Sequence, residues 1–142
     1  MNYQILSKFI KDVSFEIPSV QSFILLEKEI KNYSLNFEIK SNKFKENIIE
    51  VNTILRLVPG DNIKNKLLAE INFAALVSVD ANVTSKEELE KVILVKVPHE
   101  IYPSLYETFI FLFSQTGLKN INIDKEVSFE KLYNEKFKPQ SK

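Results

Sequence analysis

The sequence predicts an α+β fold built on a four-stranded antiparallel sheet with one face covered, a long helix and a short C-terminal helix. Four segments alternate apolar and polar residues with period two, which is typical of strands with one wet face. Residues 98–117 instead place apolar side chains at helical spacing, without an internal glycine. A second, shorter segment of helical spacing begins at Ser128.

The composition is that of one soluble globular domain. The chain has 142 residues, 44% of them hydrophobic and 27% charged, so we expect a single domain over residues 1–142 with a frayed tail at 138–142. The 19 basic and 19 acidic residues balance, which argues against broad binding of nucleic acid. Cysteine is absent, and no apolar run or leader pattern predicts membrane insertion or secretion. The expected location is the cytoplasm.

The first strand is predicted over residues 3–17. Its odd positions are mostly apolar and its even positions mostly polar, and Pro18 ends it. Leu6 and Ile10 break the alternation, so a bend or a second contact is expected there. The apolar set is Tyr3, Ile5, Phe9, Val13, Phe15 and Ile17, and the wet set is Gln4, Lys8, Asp12, Ser14 and Glu16.

Residues 18–34 fit either a short helix or a long apolar connection, and we favour the connection. Three further strands follow over residues 35–40, 49–57 and 67–79. The second of these ends at the turn signal of residues 59–61, Pro-Gly-Asp. Short turns between successive strands predict antiparallel pairing.

The long helix of residues 98–117 is the most apolar element. Gly117 stands where a left-handed residue can end it, and prolines lie near its start. Its apolar residues cover more than the single stripe that a surface helix needs, so we expect cover on two sides. The second cover is predicted to be another subunit, although an internal helix of a monomer is the alternative.

Shorter elements flank the long helix. Residues 85–88, Ser-Lys-Glu-Glu, have capping-box spacing and open a helix that runs to about Val92. Ile121 and Ile123 belong to a short extended piece. The last helix follows Ser128 and carries Phe129, Leu132, Tyr133 and Phe137.

The sequence offers no catalytic, metal or cofactor site. His99 is the only histidine, and general-base catalysis needs an orienting partner that the sequence does not show. Only two glycines occur, so a phosphate-binding loop is excluded. Glu87 and Glu88 are explained by the first turn of a helix. We therefore predict that the protein is not an enzyme, and a small-ligand enzyme or carrier remains a remote alternative.

One surface does invite a functional interpretation. Asp12 and Glu16 lie on the wet positions of the first strand, and Leu68 and Glu70 lie on those of the fourth strand. Leu68 is a large apolar residue on an otherwise polar face. A lone exposed leucine is common, but a small acidic and apolar docking patch is the alternative if the two strands are close.

At these residues the chain resembles the bacterial export chaperone family SecB. Residues 11–18, KDVSFEIP, are similar to a characteristic segment of the family, and residues 67–71, LLAEI, to its strand carrying Leu-x-Glu. The order of the segments also agrees along nearly the whole chain. The further matching positions are Pro98, Pro103, Glu107, Ser114 and Gly117 in the long helix, with residues 121–123 and 129–133 after it.

The resemblance implies both helices on one face of the sheet and a homotetramer built as a dimer of dimers, with the long helices between the sheets. It also implies contact with the ATPase SecA at the four positions of the docking patch. The family binds unfolded preproteins in apolar grooves, here expected from residues 18–34 and 128–137. The corresponding groove residues are Phe23, Leu26, Tyr33, Phe129 and Tyr133, and the subunit interface residues are Tyr102, Tyr106, Phe109 and Phe113.

The resemblance therefore implies an ATP-independent chaperone, or holdase, that delivers unfolded precursor proteins to SecA for export. The chain departs from the family in its zero net charge, in its lysine-bearing tail and in having no tryptophan. Some SecB-like proteins instead hold the antitoxin of a toxin–antitoxin system, and that role is the alternative.

Overall fold

The computed structural model describes residues 2–61, 63, 66–83, 85–118, 123 and 125–136. Within them the chain forms one sheet and four α-helices, with a 3₁₀ turn after the first helix. The elements are β1 (Tyr3–Glu16), α1 (Val20–Glu29), the 3₁₀ turn (Ile30–Asn32), β2 (Ser34–Lys45), β3 (Ile48–Val58), β4 (Leu68–Val79), α2 (Lys86–Lys91), a π-helical segment (Val92–Lys96), α3 (Val97–Ser114) and α4 (Phe129–Lys136).

The sheet has the strand order β1-β4-β3-β2, and every neighbouring pair is antiparallel. The four-stranded antiparallel sheet predicted from alternation is therefore confirmed. Strand β1 pairs with β4 and not with β2, so the chain crosses from one edge of the sheet to the other through α1. This crossing brings the first and fourth strands side by side, as a shared docking patch requires.

One face of the sheet, here called the helix face, builds the core with α3. Ile71, Phe73 and Val77 of β4 are buried together with Leu105 and Phe109 of α3. Burying a side chain of this kind stabilises a fold by about 1.5–3 kcal/mol, so the contact between the sheet and α3 dominates the stability of the chain.

The helical run from α2 to α3 is continuous, and specific residues mark where it begins and ends. Ser85 caps α2 by accepting the backbone N–H of Glu88 at 3.3 Å, as the capping-box spacing predicts. Pro98 lies in the first turn of α3, directly after the π-helical segment. Gly117 has φ of 76° beyond the last turn, which confirms the predicted left-handed ending.

Strand β1 contains two bulges that the alternation alone could not locate. The register with β4 shifts between Ile5 and Ser7, and again between Ile10 and Asp12. A shift of one residue moves side chains to the other face, so the segment between the bulges has inverted parity. Phe9, expected on the covered face, lies opposite Ala74 on the outer face, whereas Lys8 lies on the helix face.

Within residues 18–34, Val20–Glu29 form the helix α1, so the favoured apolar connection is wrong and the short helix is the correct alternative. Ser19 caps α1 by accepting the backbone N–H of Ser22 at 3.1 Å. Ser22, Leu26 and Ile30 are buried and follow one another at intervals of four, which gives the segment one inward stripe. The cap and the stripe together favour the helix.

The last helix, α4, is fixed by aromatic contacts. The ring of Phe129 lies 5.4 Å from that of Phe37 in β2 and 5.9 Å from that of Tyr102 in α3, in edge-on arrangements. Such pairs add about 0.5–1.5 kcal/mol beyond burial. Ile123 is buried. Ile121, Phe137 and the expected frayed tail at 138–142 lie outside the described residues.

Candidate functional site

The structure brings the four docking-patch residues together on the outer face, which is the face of the sheet turned away from α3. Glu16 of β1 lies directly opposite Leu68 of β4, and Asp12 lies opposite Asn72. Glu70 follows two residues after Leu68 and therefore shares its face. Asp12 and Glu16 come after the second bulge, so their shared parity is preserved.

The patch combines an exposed apolar side chain with carboxylates. Leu68 is 48% exposed, and Asp12 and Glu16 are also exposed. Glu70 is half-buried because it lies in an inner strand beside other side chains. A partner that docks here can bury Leu68, which contributes at most about 1.5–3 kcal/mol, while the charges steer its approach.

Arg56 links this patch to the neighbouring strands. It lies opposite Glu70 in the register between β3 and β4. Its Nε atom donates to Glu70 Oε2 at 3.1 Å, and its Nη1 atom is 3.7 Å from Glu38 Oε2 in β2. Lys40 continues the series, with Nζ 3.1 Å from Glu38 Oε1. The side chains of Glu70, Arg56, Glu38 and Lys40 therefore form a charge ladder across three strands.

Hydrogen bonds within the ladder favour the ionised forms of Arg56 and Glu38. The hydrogen bond to Glu70 raises the pKa of the Arg56 guanidinium. The hydrogen bond from Lys40 is the main cause of a lowered pKa at Glu38. A second ion pair joins Lys11 to Glu50, and its hydrogen bond lowers the pKa of Glu50. Charge-assisted bonds favour the charged state, so Arg56, Glu38 and Glu50 stay ionised at neutral pH.

The sequence interpretation missed the role of Arg56. Its position in the alternation of β3 does place it on the wet face, but strand order decides which residues it meets. The signal that could have found it is composition, because Arg56 is the only arginine in the chain.

An apolar cavity opens between the edge strand β2 and helix α4. Its volume is about 390 Å³. Phe129 and Tyr133, two of the five predicted groove residues, are among its lining residues. Tyr133 also donates from its hydroxyl to Glu90 Oε2 at 3.3 Å. The other lining residues are Asn36, Phe37, Glu38, Ile39, Leu94 and Leu132.

Residues 18–34 form the crossover from β1 to β2. The groove residues predicted in this crossover are less exposed than expected. Leu26 is buried in the core, and Phe23 is half-buried against it. The Tyr33 hydroxyl accepts the backbone N–H of Leu67 at 2.9 Å, which ties the crossover to the start of β4. The exposed apolar side chains of α1 are instead Val20 and Ile24. Helix formation explains the difference, because it turns Leu26 inwards and Ile24 outwards.

The predicted subunit interface residues on α3 are mostly internal to one chain. Tyr102, Phe109 and Phe113 are buried against the sheet and α4, and Tyr106 is half-buried. They therefore pack inside the protomer, and the subunit interface predicted at these residues stays a prediction. Phe111 is the large apolar residue of α3 that is exposed. On the edge strand β1, the exposed apolar residues are Leu6, Phe9, Ile10 and Val13.

His99 lies exposed at the start of α3, beside a cavity that also contains Lys125, Glu126 and Ser128. In the described part of the chain, no group of three or more potential metal ligands converges. None of the helices in the described ranges has the length and apolar character needed to cross a bilayer.

Comparisons with known proteins agree with this geometry. The family model for preprotein translocase subunit SecB matches residues 1–140. A relative from Pelagibacter ubique, named "Putative protein-export protein SecB", is 41% identical over 135 residues, which are 95% of this chain and 96% of that protein. Protein-export protein SecB 1 from Gluconobacter oxydans is 27% identical over 106 residues, covering 68% of this chain and 60% of that protein.

A solved structure has the same fold. It is the SecB-like chaperone of Mycobacterium tuberculosis in complex with a ChAD peptide from the HigA1 antitoxin. The TM-score is 0.65 at 16% identity, with 89% of this chain and 88% of the other covered. The α+β fold expected from the resemblance is therefore confirmed, and the match of the family model over nearly all residues establishes that this chain belongs to the SecB family.

Proposed function

We propose that this chain is a cytoplasmic chaperone of protein export, which holds unfolded precursor proteins without ATP and transfers them to SecA. It acts without a cofactor and catalyses no reaction. The observation that carries the proposal is the apolar cavity beside β2, in a chain whose 41% identical relative is named for protein export.

The cavity suits unfolded chains because it combines apolar side chains with a strand edge. Leu94, Leu132 and Phe37 offer apolar contacts, and β2 is an edge strand of the described sheet. An edge strand presents backbone N–H and C=O groups that can bond to any extended peptide. Backbone pairing is independent of sequence, so one site can accept many clients with modest affinity for each.

The client surface extends beyond the cavity to α1. The exposed Val20 and Ile24 lie one turn apart and form a continuous apolar stripe. Phe23 and Tyr33 are partly buried and pack against the core. We propose that clients contact both the outward side of α1 and the cavity between β2 and α4.

SecA is the proposed receiver of clients. It would contact the outer face at Asp12, Glu16, Leu68 and Glu70. Two features support this assignment: the four residues share one side of two paired strands, and an apolar side chain stands among carboxylates. The four SecA-contact residues lie on β1 and β4, whereas the cavity adjoins the opposite edge strand β2, so both partners can be bound together.

The proposed assembly is a homotetramer, a dimer of dimers. The exposed apolar residues of the edge strand β1 and the exposed Phe111 of α3 support it, because such residues are normally covered in a stable oligomer. Sedimentation analysis at micromolar concentration tests this proposal. A tetramer that dissociates to dimers on dilution is expected, and a stable monomer contradicts it.

The export role is favoured over antitoxin holding. The relative named for export matches this chain over 95% of its length, whereas the complex with an antitoxin peptide shares only the fold at 16% identity.

A refolding assay tests the holdase function. Wild-type protein should delay the refolding of a chemically unfolded protein in the absence of ATP. Leu94→Ser and Leu132→Ser should each shorten this delay, because they remove apolar lining from the cavity. Leu68→Ser, on the outer face, is the matched control and should leave the delay unchanged. If the wild type causes no delay, or if delay requires ATP, the proposal is wrong.

A further inference from the structure

Arg56 is the single arginine of the sequence, and it lies beside the docking patch. The sequence contains 19 basic residues, of which Arg56 is the one arginine. It lies on the outer face, one strand away from the proposed SecA contacts and directly opposite Glu70.

The guanidinium of Arg56 bridges two carboxylates on the neighbouring strands. Arg56 contacts Glu70 in β4 at 3.1 Å and Glu38 in β2 at 3.7 Å, so one side chain joins the strands on both sides of its own. A guanidinium presents several donors in a fixed planar fork, whereas a lysine ammonium is a single point charge. Arginine is therefore the residue suited to hold two carboxylates at once.

This bridge changes what the docking patch presents to a partner. Glu70 contributes one of the three carboxylates of the patch, and that carboxylate is already paired with a cation of the chain itself. A positively charged group on a partner must share Glu70 with Arg56. Apolar burial at Leu68 then carries a larger part of the recognition than in a patch of free carboxylates.

We infer that Arg56 is a specificity-determining residue of this docking surface, which limits its affinity for basic partners by neutralising Glu70. The inference rests on the proposed docking of SecA to the outer face. The partner segment that fits such a surface presents an apolar side chain to Leu68 and a single cation near Glu70, whose attraction to that carboxylate Arg56 weakens.

Binding of purified SecA to charge variants tests the inference. Arg56→Gln should bind about threefold more tightly than wild type at low ionic strength, which is the factor for one unit charge about 7 Å away in water. The gain should shrink as salt is added. Arg56→Lys retains the charge and should bind like wild type. Lys40→Gln removes an equal charge further along the ladder and should have a smaller effect.

Each outcome is decisive. Tighter binding by Arg56→Gln alone supports the inference. Weaker binding by both Arg56→Gln and Arg56→Lys would show that Arg56 positions Glu70 for the partner, which overturns it. Equal binding by wild type and Arg56→Gln overturns the inference while the export function stands. If no variant binds SecA, the SecA part of the proposed function fails as well, and the refolding assay reports separately on client holding.

Discussion

The two faces of the sheet differ in which side chains can be substituted without unfolding the chain. Strand β4 contributes residues to both faces. Ala69, Ile71 and Phe73 point to α3 and are buried, whereas Leu68 and Glu70 alternate with them and reach the outer face. The same twelve residues thus serve a core and a surface. A strand allows this because successive side chains point in opposite directions.

The helix face mainly determines stability, whereas the outer face mainly determines recognition of a partner. Side chains of the helix face are held by α3 and α4, so changes there should unfold the chain. On the outer face, Asp12, Glu16 and Leu68 are exposed, whereas Asn52, Ile54 and Ala74 of the inner strands are buried. Exposed ion pairs contribute little to stability. Variation at the exposed positions of the outer face can therefore alter the partner without altering the fold.

The largest effect should come from a charge placed under α3. Phe109 is fully buried, so Phe109→Asp should destabilise the chain by more than about 4 kcal/mol, because an unpaired charge would be buried in the core. Phe111, two residues later, is 60% exposed, and Phe111→Asp should leave the protomer folded. Far-UV circular dichroism and thermal melting distinguish the two. A folded Phe109→Asp protein would show that the helix face tolerates a buried charge.

The next effect concerns α4. Phe129→Ala should cost about 3–5 kcal/mol, since it removes a buried ring that contacts both β2 and α3. Lys131→Ala, in the same helix at an exposed position, is the control and should stay within about 0.5 kcal/mol of wild type. Urea unfolding measures both. Equal midpoints would mean that α4 adds nothing to the helix face.

Loss of a helix cap should have a smaller effect. Ser85→Ala leaves the Glu88 N–H without its acceptor and should lower the free energy of unfolding by about 1 kcal/mol. Ser41→Ala, at an exposed position of β2, controls for the loss of a hydroxyl. Urea unfolding again gives the difference. If the two variants are equally stable, the cap makes no measurable contribution to the helical run above the sheet.

The smallest effect is a pH dependence at the edge of the helix face. The Tyr3 hydroxyl donates to Glu100 of α3, and burial together with this bond raises the pKa of Tyr3 from 10.0 to about 12. Folding thus favours the neutral phenol. Its contribution is complete below pH 10 and is lost as the pH rises towards about 12.

Tyr3→Phe removes this titration. The stability difference between wild type and Tyr3→Phe should therefore shrink between about pH 10 and about pH 12, as measured by urea unfolding at each pH. Tyr33 and Tyr133 also have raised pKa values, but they titrate in both proteins and cancel in the comparison. A constant difference would indicate that Tyr3 is not linked to α3 in solution.

Much of this architecture follows from local patterns in the sequence. Alternation located all four strands, and Ser85 and Gly117 marked the ends of helices. Alternation also placed Leu68 and Glu70 on the outer face, because a strand without bulges fixes the face of every residue.

What the sequence did not show depends on contacts between distant segments. The bulges in β1 turn Phe9 outwards, and alternation cannot locate an extra residue in advance. The α1 helix was missed because its apolar residues fall on more than one side, and only the structure shows that Leu26 is inside and Ile24 outside. The pairing of Arg56 with Glu70 required the strand order, which length and composition leave open.

Two adjacent leucines test the separation of the faces most directly. Leu67 is 2% exposed and Leu68 is 48% exposed, although they are neighbours in the chain. Leu67→Ser should lower the free energy of unfolding by about 2–4 kcal/mol, while Leu68→Ser should leave it within about 0.5 kcal/mol and weaken SecA binding about tenfold. Urea unfolding and titration calorimetry with SecA, performed on both variants, measure these changes. If Leu68→Ser loses stability and retains SecA affinity, Leu68 serves the fold and not the binding of SecA.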